Sequence, residues 1–405
     1  MAQPVKLGVV GGHRGGAFRR ALAAFQERVV LTSVCDISPE VLARWESEYP
    51  QIATYPSYDE FLDKSGCDAV FIATPLQLHT KQAIAALAAG KHVISEVIAA
   101  TTLDECWRLV EAVERSGLVY MFAENYCYQR PNMMVRHMAE QGLFGELLYA
   151  EGAYIHDCRH LIFTPQGELT WRGVWRRDTP GNGYPTHSLG PLAQWLRVNR
   201  PGGDRLVRTV TWMTCQASTS RYALDRFGPN HPAAKPGFFK MGDSATTLIE
   251  TAKGALIVLR VDWASARPHN MVHYVLQGTH GAYLSPRSHH EDPLIWLEGH
   301  SPGVSPGDAD WEPLWNYADQ YEHPRWREWG ATAREAGHGG GDFFVLQDFL
   351  DAIEGKSPPT IDVYDAVTWS CISPLSVASV RGGGVPVEIP NFKQSAISLQ
   401  PKAEC

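Results

Sequence analysis

The chain has 405 residues, 44% of them hydrophobic and 20% charged, a balance that suits a soluble globular protein of two domains. Its formal net charge of −8, with no basic run and no stripe of interleaved basic and aromatic residues, argues against nucleic acid or an acidic membrane surface as partner. No apolar stretch approaches the roughly 20 residues that span a bilayer, so no membrane partner is expected.

The first strand, Val5-Lys6-Leu7-Gly8-Val9-Val10, begins almost at once, so no export signal is expected. Eight cysteines, at positions 35, 67, 106, 127, 158, 215, 371 and 405, form no CxxC pair, so reduced thiols in a cytoplasm are the expectation. The strand stops at a glycine cluster, and a helical pattern follows over residues 17–25. The β-branched run 29–35 reads as a second strand ending at Asp36. Then come a helix over 39–49, a strand over 68–73, a helix over 79–89, a strand over 92–95 and a helix over 103–116. Strands alternating with helices predict an α/β domain, a doubly wound parallel sheet of Rossmann type, over residues 1–125.

The rhythm changes after about residue 125. A helix over 131–141 leads into an alternating strand over 146–154, and strand-like runs follow at 207–215, 245–251, 255–262 and 272–277. That spacing predicts an α+β domain with a mostly antiparallel open sheet. Pro, Gly and Trp accumulate over 285–341, as in long ordered loops, and a final helix near 342–354 precedes a Pro-rich tail. The expected organisation is a Rossmann domain at 1–125, a substrate domain at 126–383 and an extended tail at 384–405. An exposed face on the second sheet would support a homodimer or tetramer.

The run Gly8-Val9-Val10-Gly11-Gly12-His13-Arg14-Gly15-Gly16 lies where the first strand turns into a helix. Glycines 11, 12 and 15, with His13 and Arg14 between them, let the backbone approach a pyrophosphate while the helix N-terminus supplies N–H donors. The spacing is not the strict GxGxxG. Asp36 stands 25 residues after Gly11, where a carboxylate can accept from both ribose hydroxyls. An acid there favours NAD over NADP, because a 2′-phosphate would meet like charge. The plainer alternative is a tight turn followed by a surface Asp. The loop Ala73-Thr74-Pro75-Leu76-Gln77-Leu78-His79 follows another strand, so Thr74 and Pro75 are expected beside the adenosine and ribose. His79 is either at the cofactor or capping the next helix.

With Gly90-Lys91-His92-Val93-Ile94-Ser95-Glu96, these residues resemble the Gfo/Idh/MocA family of sugar oxidoreductases. The loop that reads Glu-Lys-Pro in most members reads Glu96-Val97-Ile98 here, and the lysine that assists proton transfer there is gone. Around His187, the two acids of those dehydrogenases are replaced by Gly183 and Gly190. The chain is more similar to glycoside hydrolase family 109, which shares the scaffold. The matching stretches are Ser95-Glu96-Val97 with Ala99-Ala100, Leu103-Asp104-Glu105-Cys106-Trp107, Glu124-Asn125-Tyr126-Cys127-Tyr128 and Gly142-Leu143-Phe144-Gly145-Glu146. They continue with Glu151-Gly152-Ala153-Tyr154-Ile155-His156-Asp157, Gly181-Asn182-Gly183-Tyr184-Pro185-Thr186-His187-Ser188-Leu189-Gly190-Pro191, Gly337-His338-Gly339-Gly340 and Asp362-Val363-Tyr364-Asp365. Ile98 stands where that family usually has proline. His269, in Arg267-Pro268-His269, stands where it has a tyrosine.

The resemblance implies an NAD-dependent glycosidase acting on an N-acetylgalactosaminide or related hexoside. Hydride leaves C3 of the sugar, the C2 proton is removed, the aglycone is eliminated from C1, water adds and the hydride returns. It implies Tyr154 as the C2 base. Tyr154 and His156 lie two apart on a predicted strand and share a face, so His156 is placed to tune the phenol. Tyr184 and His187 share a face if a helix starts between them, and His187, whose imidazole titrates near neutrality, is the candidate for the C3 hydroxyl proton. Glu96 and Asn125 are expected at the cofactor, Glu124 at a sugar hydroxyl or the nicotinamide ribose, and Tyr184, His269 and His338 at the sugar. Taken singly these residues have plainer readings: Tyr154 as packing, His156 paired with Asp157, His187 as a helix cap. The alternatives are an NAD-dependent sugar dehydrogenase or epimerase, and a non-catalytic NAD-bound sugar-binding protein. No metal is expected. His269 and His273 on a strand would stand about 13 Å apart, and Ser288-His289-His290-Glu291-Asp292 reads as a solvated loop.

Overall fold

A computed structural model describes residues 3–214, 217–264, 266–268, 272–303 and 307–393. They form two compact units. The first takes the described residues of Met1–Arg130, Pro324–Cys371 and Asn391–Cys405, and the second those of Pro131–His323 and Ile372–Pro390.

In the first unit, β1 (Val5–Val10), β2 (Val29–Cys35), β3 (Ala53–Tyr55), β4 (Ala69–Ile72), β5 (His92–Ser95) and β6 (Tyr120–Phe122) make one sheet in the order β3-β2-β1-β4-β5-β6. Every pair is parallel. All four residues of β4 and five of the six in β1 are buried, which is why these strands read as continuous apolar runs. The strand order reverses between β1 and β4, and in such sheets ligands bind beyond the strand C-termini at that reversal.

The flanking helices start where their caps stand. Ser38 accepts from Val41 N ahead of Pro39–Glu48, and Thr102 and Glu105 close a reciprocal capping box on Leu103–Ser116, which ends at left-handed Gly117. The first helical segment differs from the expected single helix. It starts at Gly12 and breaks into Gly12–Gly15, a 3₁₀ turn Gly16–Phe18 and Arg19–Ala23. Two consecutive glycines weaken the ladder there, and Arg19 Nε donates to Gly16 O at 2.9 Å. β3, β6 and the helix Tyr58–Lys64 are additions; strands of three residues are too short to show alternation.

Residues 324–371, expected in the substrate domain, pack into the first unit. Phe343, on the helix Gly341–Ile353, stacks 4.8 Å from Phe25, and Arg28 binds Asp351 and Glu354. That helix is not the last. Val363–Ser370, capped by Asp362, and Ile372–Arg381 follow it. Seven of the eight residues of Val363–Ser370 are buried, so no polar face marks its period in the sequence.

The second unit is a nine-stranded sheet of β7 (Leu147–Ile155), β8 (Leu206–Met213), β9 (Ser244–Thr251), β10 (Leu256–Asp262), β11 (Val272–Gly278), β12 (Gly281–Leu284), β13 (Leu294–Leu297), β14 (Glu312–Pro313) and β15 (Val387–Glu388). The order is β14-β13-β12-β11-β7-β10-β9-β8-β15, antiparallel except for β7 with β10. The helix Thr186–Trp195 covers β7, β10 and β11, and Ile372–Arg381 covers β8. Ala150, Gly152, Ile257, Leu259, Tyr274 and Leu276 point inward and are buried. On the opposite face of β8–β10, Trp212, Leu248 and Leu256 are exposed. β13, β14 and the helix Pro324–Arg334 occupy the stretch expected as loops. Trp171–Asp178 and Ala217–Phe227 are further unforeseen helices, and the second rests on a cluster around Phe163 and Phe239.

Candidate active site

At the β1 turn, Gly11 is left-handed, with φ 89°. A Cβ there would lie 2.5 Å from Ala73 O and 2.7 Å from Thr74 N, so the turn and the loop after β4 meet backbone to backbone. Trp45 Nε1, which pattern reading did not single out, donates to Gly12 O at 3.0 Å, and Gly15 presses on Val9 with no room for a side chain. The result is a tight glycine turn at the N-terminus of a helical segment, with the loop after β4, Trp45 and Val9 packed where side chains would otherwise stand. Asp36, at the end of β2, accepts from Ser38 N at 2.9 Å and from His13 N at 3.4 Å, which orients its carboxylate beside that turn. Arg14 pairs with Glu96 at 2.7 Å. Glu96 also accepts from Val97 N at 3.3 Å, and the Val97–Ile98 peptide is cis.

Two of the expected cofactor residues are engaged in holding the unit together. Thr74 Oγ1 donates to Gln82 at 2.5 Å. His79 is buried, with Nδ1 2.8 Å from Ile98 O and Nε2 2.8 Å from Thr74 O. Neither ring nitrogen is left for a cofactor, and no side chain caps the helix it begins. His79 therefore ties the loop after β4 to the loop after β5. Glu124 is fully buried, and its Oε1 accepts from Tyr126 N at 3.3 Å. Asn125 donates through Nδ2 to Asp342 at 2.8 Å, while its Oδ1 is buried with no hydrogen-bond partner among the described residues. An orphaned buried acceptor is costly unless a ligand meets it. Together with the glycine turn at the start of a helical segment and the oriented Asp36, it fits a dinucleotide.

His338 has φ 43°, unusual for a residue with a side chain, between Gly337 at 106° and Gly339 at 63°. Its Nδ1 lies 2.7 Å from Asp342 Oδ2. That hydrogen bond raises the imidazole's proton affinity above its ordinary value, against the opposing effect of burial.

In the second unit, four residues expected at the sugar come together. The Tyr154 ring lies 4.9 Å from His187, 5.7 Å from Tyr184 and 5.8 Å from His156, and Tyr184 lies 5.1 Å from His187. Trp263, which the sequence reading did not single out, adds a fifth ring 5.3 Å from Tyr184. The local structure explains the meeting. Gly152 on β7 touches Ser188 O so closely that no Cβ fits, and this brings the start of Thr186–Trp195 down onto the strand two residues before Tyr154. Tyr274 Oη donates to His187 O at 2.5 Å. Gly181 is left-handed at φ 86°. Asn182 accepts from Tyr184 N through Oδ1, donates its backbone N–H to Ser376 Oγ, and donates Nδ2 to Thr247 Oγ1. Gly-Asn-Gly thus builds the turn, and Tyr184 and His187 ride on it.

The helix begins after Pro185 with no side-chain cap, so His187 is not the cap. Asp157 pairs with Arg159 at 2.7 Å. His269 lies outside the described residues. Among the described residues, no three His, Cys, Asp or Glu side chains group as a metal ligand set, and no helix is long and apolar enough to cross a membrane.

A Rossmann unit with this glycine turn, joined in sequence to a mostly antiparallel second sheet, defines an NAD-binding oxidoreductase scaffold. Residues 5–124 match the oxidoreductase family model of the NAD-binding Rossmann fold, and 128–398 match the C-terminal domain of glycosyl hydrolase 109. The chain belongs to glycosyl hydrolase family 109, and it is an enzyme built on an NAD-binding scaffold. It is 37% identical to a glycosyl hydrolase family 109 protein of Solibacter usitatus, over 96% of this chain and 88% of that one. It is 33% identical to an alpha-N-acetylgalactosaminidase of Tannerella forsythia, over 89% and 80%. Its fold is similar to that of a levoglucosan dehydrogenase solved with NADH and L-sorbose, at TM-score 0.75 and 19% identity, covering 96% of this chain and 100% of the other.

Proposed function

We propose that the protein hydrolyses an N-acetylgalactosaminide or related hexoside by transient oxidation at C3. NAD, when bound, supplies a reversible hydride acceptor for that carbon. The chain's own residues do the rest. The turn Gly11-Gly12-His13-Arg14-Gly15 receives the pyrophosphate at the N-terminal end of its helical segment. Asp36 takes the adenosine ribose hydroxyls, with Thr74 and Pro75 alongside, and Glu96 and Asn125 serve the nicotinamide half. His187 accepts the C3 hydroxyl proton, and Tyr154, with His156 beside it, accepts the proton from C2, which the C3 ketone makes acidic. The aglycone leaves C1 with its bonding pair and takes up a proton, water adds at C1 and gives one up, the hydride returns to C3, and C2 and the C3 oxygen are reprotonated by groups that have exchanged with solvent, so there is no net redox change. Glu124, Tyr184 and His338 bind sugar hydroxyls.

The observation that carries this reading is the 4.9 Å approach of the Tyr154 and His187 rings, a phenol and an imidazole, in a chain related to alpha-N-acetylgalactosaminidases. The test is turnover of α- and β-aryl glycosides, N-acetylhexosaminides among them, in heavy water without added cofactor. Deuterium at C2 of the product is expected. Turnover with no deuterium there removes the elimination route, and net accumulation of reduced nicotinamide would make the protein a dehydrogenase. We read the exposed face of β8–β10, with Trp212, Leu248 and Leu256, as a self-association surface of a homo-oligomer.

A further inference from the structure

We propose that Trp263 is a specificity-determining residue of the candidate site, its indole N–H taking the carbonyl oxygen of a 2-acylamido group on the sugar. The inference rests on the glycosidase reading and narrows its substrate to acylated amino sugars. Trp263 follows β10 directly. Val261 stands opposite Tyr154 in the parallel pairing of β10 with β7, so two residues further on Trp263 returns to the face that carries Tyr154 and His156. Its backbone is pinned there: its N–H donates to Asp243 O at 3.3 Å, and its carbonyl accepts from Cys158 N at 2.8 Å. The ring meets that of Tyr184 edge-on, 5.3 Å away, and the residue is 5% exposed. Nε1 is buried with no hydrogen-bond partner among the described residues.

An indole donates and cannot accept, and a buried one ordinarily finds a partner for its N–H, because leaving it without one is costly. Trp263 is not alone. Trp175 Nε1 and Thr186 Oγ1 are likewise buried with no partner among the described residues. Trp175 Nε1 lies against Gly183, the residue before Tyr184, and Thr186 stands two residues after that tyrosine. Orphaned groups of this kind are rare, and three around one tyrosine point to an acceptor brought by a ligand. Two indoles that only donate suit a carbonyl oxygen, which takes two hydrogen bonds and gives none. A hydroxyl would bring a proton that neither indole can accept. The lining beside them is apolar, since buried Met241 has its Cε against the same Gly183. A methyl next to a carbonyl, the acyl end of an acetamido group, matches both features.

The experiment follows the indole N–H signals of NAD-loaded protein carrying isotope-labelled tryptophan by NMR, with that of Trp263 assigned by its loss in Trp263→Phe. N-acetylgalactosamine or N-acetylglucosamine is expected to move it downfield, as a new hydrogen bond does, and galactose or glucose to leave it in place. On aryl glycosides, the ratio of kcat/KM for the 2-acetamido sugar to that for the matched 2-hydroxy sugar should fall about tenfold in Trp263→Phe, through KM rather than kcat. Equal response of the signal to both classes of sugar, or an unchanged ratio in folded Trp263→Phe, overturns the proposal. So does a wild type in which no indole signal moves with either acetamido sugar, a result that does not depend on the variant folding. A shift with the acetamido sugars alone, in a protein that turns over no glycoside, would sink the glycosidase reading and leave the role of Trp263 standing.

Discussion

Tyr154 is buried against three other rings, yet it lies on the face of β7 where a phenol reaches an imidazole. If it removes the C2 proton, Tyr154→Phe lowers kcat by about 10²- to 10⁴-fold, the usual worth of a positioned base. NAD carried through purification should be unchanged, because the cofactor residues lie elsewhere in the sequence. Initial rates on an aryl glycoside and released NAD check both. His79 makes the opposite kind of prediction. Burial holds its imidazole below the ordinary value of 6.5. As pH falls through that value the unfolded chain takes up a proton that the folded chain refuses, and stability is lost. His92 and His273, also lowered by burial, act in the same direction. The urea midpoint is therefore expected to drop between about pH 7.5 and about pH 5.5, and to drop less in His79→Gln. Equal losses in the two proteins would show that His79 titrates as it does in water.

Gly152 shows how an element, rather than a residue, places the second half of the site. Its hydrogen lies against Ser188 O, and a side chain there must lift the start of Thr186–Trp195 away from β7. Gly152→Val is expected to destabilise by about 1–3 kcal/mol, the usual cost of overpacking, and to abolish turnover while NAD is retained. Thr102→Ala, which removes the capping box of Leu103–Ser116, should cost about 1 kcal/mol and leave the specific activity of the folded protein unchanged. Urea denaturation with activity assays separates the two cases. The legibility of these elements follows from the same physics. Leu103–Ser116 was readable because its cap, its apolar stripe and its terminal glycine all lie within one window. Val363–Ser370 was not, because a helix buried on nearly every side carries no polar stripe. The pattern over 17–25 does not show that the helical segment starts at Gly12, because Gly15 and Gly16 carry no side chain to continue its period.

For the molecule as a whole, the exposed apolar side chains on β8–β10 predict self-association. Light scattering should give a mass above the 44.9 kDa of one chain, and Leu248→Lys should shift the distribution toward that value. A monomeric wild type would remove this part of the reading. The sequence by itself determined the two sheet types, the glycine turn with Asp36 and the shared face of Tyr154 and His156, since strand and helix periods and short turns are set by neighbours along the chain. Tertiary structure alone decided that 324–371 return to the first unit, that His79 bonds two loops instead of a cofactor or a cap, and that Tyr154 meets His187. It also joined Asn125 to Asp342, 217 residues away. Such meetings depend on the summed packing of segments far apart in the chain, and no local pattern holds that sum.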